Sequence, residues 1–135
     1  MIVIDASATL AWCFEDERNA KALRIAALVR DGGALVPGIW PLEVANILWQ
    51  AERRKRITAE FRHATLADLS LLGVAIDPDT AANAWSTTLR MCERHGLTSY
   101  DAAYVELAVR SRLPLATYDS EMRLAAVAEG IDLVD

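Results

Sequence analysis

Short runs of apolar, mostly β-branched residues alternate with longer stretches of helical periodicity along this chain of 135 residues. Such an alternation is typical of α/β domains, in which parallel strands form one sheet and helices cover both of its faces. The alternation continues without an internal repeat or a Gly/Ser-rich linker, and 53% of the residues are hydrophobic. We therefore predict a single globular α/β domain over residues 1–135, built on a central parallel sheet.

The boundaries of the elements follow from periodicity and from the residues that begin and end helices. Strands are predicted at the apolar runs, and helices where apolar residues recur every three to four positions. The predicted strands are residues 2–4, 34–37, 73–76, 114–117 and 131–134. The predicted helices are residues 17–30, 41–56, 58–72, 80–95, 98–112 and 119–129, and residues 6–12 are helix-like.

The first apolar run ends abruptly on Asp5, before a helix-like segment. A carboxylate at the end of a core strand is unfavourable unless another group pairs with it. Asp5 therefore either caps the following helix or forms part of a functional site.

Three further acids are predicted at the edge of the sheet where Asp5 lies. Asp119 follows the strand at 114–117, whereas Glu43 and Asp101 lie in the first turns of helices. In parallel α/β sheets, ligands bind beyond the carboxyl ends of the strands. Each acid alone is also explained by helix capping, because a helix N-terminus favours negative charge. Together they repel one another unless a cation lies among them; we call this set the acidic quartet (Asp5, Glu43, Asp101 and Asp119).

The chemistry of the quartet favours a hard divalent cation. Carboxylate ligands without a neighbouring His or Cys suit Mg²⁺ or Mn²⁺ better than zinc. Such an ion can hold a phosphate oxygen and activate a water molecule, as phosphodiester hydrolysis requires. Asp5, Asp101 and Asp119 are expected to hold the ion, while Glu43 binds through water or orients the attacking water. Since the formal net charge is −5, the rest of the chain carries only −1.

Four segments of the chain carry a family resemblance when they are taken together: IVIDAS, PLEVANIL, SYDAAYVELA and LATYDSEM, in this order. They resemble the motifs of the PIN-domain nucleases, and most closely those of the VapC toxins of bacterial type II toxin–antitoxin pairs. The resemblance covers essentially the whole chain and implies a three-layer α/β/α sandwich. It also implies a Mg²⁺- or Mn²⁺-dependent ribonuclease that cuts single-stranded regions of RNA. A small VapB-like antitoxin as inhibitor and a homodimeric state are further implications.

On this resemblance, the acidic quartet supplies the catalytic and metal-binding residues. Ser7 and Thr117 match small hydroxyl positions beside the acids, and Thr117 is the stronger candidate of the two. Asn46, one helical turn after Glu43, matches a polar position that faces the same pocket. The quartet shows no departure from the family pattern.

The densest basic run of the chain has two interpretations. It can hold RNA phosphates at the mouth of the pocket, or it can complement the dipole at a helix C-terminus. The run consists of Arg53, Arg54, Lys55 and Arg56.

The aromatic, histidine and cysteine residues are more often structural than functional. Four aromatic residues are predicted to lie in the core or in a dimer interface: Trp40, Trp49, Tyr100 and Tyr104. The alternative is that they stack on bases or line a groove that binds the antitoxin. Packing is predicted for Trp12 and Trp85, a solvated position for His63 and His95, and a buried, reduced state for Cys13 and Cys92.

Other functional classes explain the sequence less well. A haloacid-dehalogenase-like phosphatase needs Asp-x-Asp after its first strand, where this chain has Ser7, and a receiver domain needs a late lysine, whereas none follows Lys55. Two alternatives stay open: a non-catalytic RNA- or protein-binding module on the same scaffold, and a housekeeping RNA-processing nuclease without an antitoxin. No apolar stretch approaches the roughly 20 residues of a membrane span, no secretory signal is evident, and we expect a cytoplasmic protein without a membrane partner.

Overall fold

The computed structural model describes all residues from 1 to 135 and contains one sheet of four parallel strands. The strands are β1 (Ile2–Ile4), β2 (Ala34–Val36), β3 (Val74–Ile76) and β4 (Leu115–Ala116). Their spatial order is β3-β2-β1-β4. The chain therefore builds the sheet outwards from β1 to β3 and then returns to add β4 on the other side of β1. This reversal of strand order places the expected ligand crevice between the carboxyl ends of β1 and β4.

Helices flank the sheet, which confirms the predicted α/β architecture with a central parallel sheet. A π-helical turn at Ala84–Thr88 joins two of them into the single helical stretch predicted at 80–95. The helices are α1 (Ala6–Cys13), α2 (Ala20–Gly32), α3 (Trp40–Arg53), α4 (Ala59–Ser70), α5 (Thr80–Asn83), α6 (Leu89–His95), α7 (Ser99–Ser111) and α8 (Ser120–Ala128). None of them is of a length and apolarity that would cross a bilayer.

The hydrophobic core comprises 29 buried residues and is centred on β1. All three residues of β1 are buried, as expected for a central strand that helices cover on both faces. The predicted apolar face of α2 is buried through Ala22, Ile25 and Val29, which recur at helical spacing. Burial of this kind is the main favourable contribution to folding.

Side-chain caps fix the starts of the helices that lead into the carboxyl edge of the sheet, the side on which the parallel strands end. Asp5 caps α1, Thr98 caps α7 and Asp119 caps α8, each by accepting a hydrogen bond from a main-chain N–H of the first turn. Gly96 ends α6 at a φ of +67°, a left-handed conformation that glycine adopts without strain. Helix capping, one of the two interpretations open for each acid, is therefore confirmed for Asp5 and Asp119.

The predicted last strand at 131–134 is wrong. Only one isolated parallel bridge forms there, between Leu115 and Leu133. This bridge still has a structural consequence, because it holds the last described residues alongside β4, in the direction of the carboxyl edge.

Candidate active site

The acidic quartet lines one cavity beyond the carboxyl ends of β1 and β4. We call it the acidic cavity. Its carboxylates come from four different elements, and no basic side chain is part of its wall. The remaining lining residues are Ala6, Ser7, Ile47, Tyr104 and Met122. The predicted convergence of the four acids at one edge of the sheet is therefore what the structure shows.

Asp5 is the most constrained of the four acids. The main-chain N–H of Ala8 donates to Asp5 Oδ1 at 2.7 Å, and the Ser7 hydroxyl donates to the same oxygen at 3.0 Å. The Thr117 hydroxyl donates to Oδ2 at 2.5 Å. These contacts use three of the roughly four lone-pair directions of a carboxylate. Asp5 is thus both a helix cap and a wall of the cavity, and one acceptor direction stays available.

Thr117 connects the two strands and two of the acids. Besides donating to Asp5, its Oγ1 accepts a hydrogen bond of 3.0 Å from the main-chain N–H of Asp119. Asp119 in turn accepts from the main-chain N–H of Met122 at 2.9 Å while its side chain stays exposed. The fully buried Thr117 hydroxyl therefore sets the relative positions of two quartet members that are far apart in sequence.

Glu43 is held by a tyrosine that the sequence analysis did not place in the site. The Tyr104 hydroxyl donates to Glu43 Oε1 at 2.5 Å, and the ring of Tyr104 is 1% exposed. Tyr104 lies one turn after Asp101 on α7, so both side chains reach the same cavity. The spacing of three residues between the acid and the tyrosine is the sequence signal that could have identified this contact.

The electrostatics of the cavity oppose full ionisation. Burial is the main factor that raises the pKa values of Asp5, Glu43 and Asp101 above their ordinary range. Hydrogen bonds from Thr117 and Tyr104 partly offset this effect for Asp5 and Glu43. Mutual repulsion adds to it, since Asp101 raises the pKa values of both Asp5 and Glu43. Four acids without an internal cation form a site of high negative potential.

The donor set fits a hydrated divalent ion better than a closed cage of protein ligands. No group of three or more acidic, histidine or cysteine side chains is arranged to hold a metal ion directly. The cavity nevertheless offers hard carboxylate oxygens from four residues and no competing cation. Mg²⁺ retains several of its waters and reaches carboxylates through them. Binding of the ion by Asp5, Asp101 and Asp119, directly or through water, stays a prediction.

Two predicted supporting features lie outside the cavity wall. Asn46 is exposed and is not among the lining residues. The basic run 53–56 is also absent from the lining, and the helical rise places Arg53 about 15 Å along α3 from Glu43. In addition, Arg56 pairs with Asp16 and Glu17. The run is therefore not part of the cavity wall, and its contact with RNA phosphates stays a prediction.

The aromatic residues divide between the core and the surface. Tyr104 and Trp40 are buried, and the Trp40 indole N–H donates to Thr9 at 3.1 Å. Trp12 packs against the core as predicted. Trp85 is 92% exposed, so its predicted packing role is wrong. Tyr100 and Trp49 are also exposed.

The histidines and cysteines lie away from the acidic cavity. His63 is exposed as predicted, but His95 has a mostly buried side chain that lies 3.8 Å from Glu129, so its predicted solvated position is wrong. Cys13 and Cys92 are free and half-buried. Burial raises the pKa of Cys13 to about 11, which keeps this thiol protonated and unreactive at neutral pH.

Comparison with known proteins gives consistent matches. A family profile described as "PIN domain" matches residues 2–129. Ribonuclease VapC3 of Pyrobaculum aerophilum is 31% identical over 121 residues, which cover 90% of this chain and 91% of that protein.

Solved structures are similar over the whole chain. PAE2754 from Pyrobaculum aerophilum is 26% identical, with a TM-score of 0.71 over 98% of this chain and 83% of its own. VapBC2 from Rickettsia felis, bound to a DNA fragment from their promoter, has a TM-score of 0.63 at 12% identity over 98% and 97% of the two chains. FitAcB from Neisseria gonorrhoeae has a TM-score of 0.64 at 15% identity, over 100% of this chain and 97% of its own. At such low identities, the last two matches establish a shared fold only.

Proposed function

The chain belongs to the PIN-domain family, and from this premise we propose that it is a metal-dependent endoribonuclease that hydrolyses phosphodiester bonds in single-stranded regions of RNA. The observation that carries the proposal is the acidic cavity, where four carboxylates meet at the switch point of the sheet without a basic residue among them. The identity to a VapC ribonuclease over 90% of the chain supports the same activity.

Each member of the quartet has its own part in this chemistry. A bound Mg²⁺ or Mn²⁺ ion supplies a water of lowered pKa and stabilises negative charge that develops on the phosphate. Asp5, fixed by Ser7 and Thr117, presents its remaining acceptor direction to the cavity. Asp101 and Asp119 approach from the starts of α7 and α8 and complete the binding surface for the hydrated ion.

Glu43 has the geometry to orient a water molecule. Its Oε1 is held by the Tyr104 hydroxyl, which leaves Oε2 directed by that anchor rather than free to rotate. A carboxylate in a fixed orientation can accept a proton of the attacking water and align its lone pair with the phosphorus atom. No protein nucleophile is needed for this hydrolysis.

We further propose that the protein is the toxin of a VapBC-type pair and acts in the cytoplasm as a homodimer that a VapB-like antitoxin inhibits. Two names motivate the antitoxin partner, because the curated relative is called Ribonuclease VapC3 and one structure of the same fold is called VapBC2. Antitoxin binding that covers the acidic cavity would inhibit by excluding RNA.

Cleavage of single-stranded RNA by the purified protein tests the proposal. We expect cleavage with Mn²⁺ or Mg²⁺, none with EDTA, and recovery when the ion is restored. Asp5→Asn keeps the shape of the side chain and should reduce cleavage about a thousandfold, since preorganised electrostatic stabilisation of that order is lost. Asp31→Asn is the matched control, because Asp31 is an exposed acid paired with Arg30. RNA binding without cleavage in every condition would establish the non-catalytic module instead.

A further inference from the structure

Three basic side chains converge on one acid beside β4. Lys21 Nζ lies 3.3 Å from Asp135 Oδ1, and Arg123 Nη2 lies 2.7 Å from the same oxygen. Arg24 donates to the main-chain oxygen of Asp135. We call this group the basic cluster (Lys21, Arg24 and Arg123).

The basic cluster adjoins the acidic cavity. Arg123 Nη1 donates to the main-chain oxygen of Thr117 at 3.2 Å, and Lys21 Nζ lies 4.7 Å from the ring centroid of Tyr118. Thr117 and Tyr118 immediately precede Asp119 and follow β4. Because the hydroxyl of Thr117 holds Asp5, a single residue separates the cluster from the wall of the cavity.

The ratio of charges distinguishes this cluster from the ion pairs of Arg56 and Arg110. Each of those two arginines pairs with two acids. Around Asp135 the ratio is reversed, since one carboxylate faces two cationic side chains and a third contacts its main chain. The cluster therefore carries surplus positive charge next to a cavity of surplus negative charge.

Two guanidinium groups and one ammonium group match the oxygens of a phosphate as well as those of a carboxylate. From this juxtaposition we infer that Lys21, Arg24 and Arg123 form a subsite for a backbone phosphate of the RNA strand, next to the scissile phosphate. This inference rests on the proposed nuclease function. The proposed phosphate contacts are different from the run 53–56, which lies at the far end of α3.

The carboxylate of Asp135 stands in for that phosphate in the structure. Its side chain is 64% exposed, and exposed ion pairs of this kind contribute little to stability. The Leu115–Leu133 bridge holds this segment parallel to β4, which brings Asp135 level with Thr117. Asp135 is therefore an internal competitor that an RNA strand displaces when it enters the cavity.

The test measures binding of a fluorescein-labelled oligouridylate to the cleavage-deficient Asp5→Asn protein in EDTA, over a range of salt concentrations. Lys21→Gln combined with Arg123→Gln should weaken binding roughly tenfold and reduce the salt slope by about 1.4, since each single-strand phosphate contact contributes about 0.7. Asp135→Asn should instead strengthen binding about threefold, the size of one exposed ion pair. A gain in affinity cannot come from misfolding.

Arg30→Gln is the matched control, because Arg30 lies on the same helix as Lys21, about 14 Å further along its axis. It should change neither the affinity nor the salt slope. Equal effects of Arg30→Gln and of the Lys21/Arg123 variant would overturn the subsite, as would an unchanged affinity in Asp135→Asn. Inorganic phosphate serves as a competitor of oligouridylate binding. If the cluster variants changed the inhibition by phosphate but not the affinity for oligouridylate, an RNA subsite would also be overturned.

The two proposals can fail separately. If the wild-type protein cleaves RNA but the cluster variants bind normally, the subsite is wrong and the nuclease stands. If the cluster variants behave as expected but the wild-type protein never cleaves, RNA binding by the cluster stands and the nuclease is wrong.

Discussion

Two strands of the sheet end on an aspartate, and the two aspartates have opposite surroundings. Asp5 follows β1 and Asp77 follows β3, and each is 6% exposed. Arg110 donates to both carboxylate oxygens of Asp77, at 3.2 and 2.6 Å, and this pairing lowers the pKa of Asp77. Asp5 has no cationic partner, and burial raises its pKa.

One helix serves both regions. The first turns of α7 supply Asp101 and Tyr104 to the acidic cavity. Its last turns supply Glu106 and Arg110, which with Asp77 form an ion-pair group that we call the Asp77 cluster. In the Asp77 cluster the chain provides its own cation, so the acids stabilise the fold. In the acidic cavity it provides none, so the acids are available to an external cation. The presence or absence of an internal cation therefore distinguishes the Asp77 cluster from the proposed metal site in the acidic cavity.

The largest effect is expected from removing that internal cation. Arg110→Met leaves two buried carboxylates unpaired and should lower the free energy of unfolding by about 3 kcal/mol, as measured by urea denaturation. Arg30→Met removes only an exposed pair and should change it by less than about 1 kcal/mol. Similar small changes in both variants would contradict the structural role of the Asp77 cluster.

Adding a divalent ion tests the other side of the comparison. At a hundred times the dissociation constant, Mn²⁺ should stabilise the wild-type protein by about 2.7 kcal/mol, because it binds the folded chain alone. The stabilisation should be lost in Asp5→Asn and retained in Asp77→Asn, measured as the Mn²⁺-dependent change in unfolding free energy. An equal response of both variants would place the ion elsewhere.

A smaller effect is expected from the anchor of Glu43. Tyr104→Phe keeps the buried ring but removes the hydrogen bond to Glu43, which should lower the free energy of unfolding by about 1 kcal/mol. Calorimetric titration should also show weaker Mn²⁺ binding, since Glu43 is no longer held in place. Tyr100→Phe, at an exposed tyrosine, is the control and should have neither effect.

The smallest effect is a difference in the pH dependence of stability. A raised pKa means that the folded chain binds the Asp5 proton more tightly than the unfolded chain. The stability contributed by Asp5 is therefore full below its ordinary pKa of 3.8 and is lost as the pH rises through the raised value. For Asp77, with a lowered pKa, the contribution is present above 3.8 and is lost as the pH falls through the lowered value.

Unfolding in metal-free buffer measures this difference. As the pH rises above 3.8, Asp5→Asn should gain stability relative to the wild-type protein. As the pH falls below 3.8, the disadvantage of Asp77→Asn should shrink. The same pH trend in both variants would remove the distinction between the two regions.

Most of the fold could be predicted because its signals are local. The apolar run at 2–4 and the start of the helix predicted from residue 58 are fixed by neighbouring residues, and both predictions are confirmed. The predicted strand at 131–134 fails because a strand needs a continuous partner, and only Leu133 pairs. Pairing between distant segments is not encoded in a short run of sequence.

The convergence of the acidic quartet was also predictable, but its distinction from Asp77 was not. The segments IVID and VAID look alike, and each ends a strand on an aspartate. What separates them is Arg110, which is 33 residues from Asp77 in sequence. The predictions that Trp85 packs and that His95 is solvated failed for a related reason. Which face of a helix is covered depends on what packs against it, and Trp85 is exposed whereas the His95 side chain is mostly buried.

The bridge from Thr117 to Asp5 spans 112 positions of the chain. An unfinished polypeptide on the ribosome, still lacking β4 and Asp119, can fold its earlier segments but has neither this bridge nor a complete set of carboxylates. The acidic cavity is therefore complete only after β4 and Asp119 have been synthesised, and a polypeptide terminated before them would lack the site proposed for RNA cleavage.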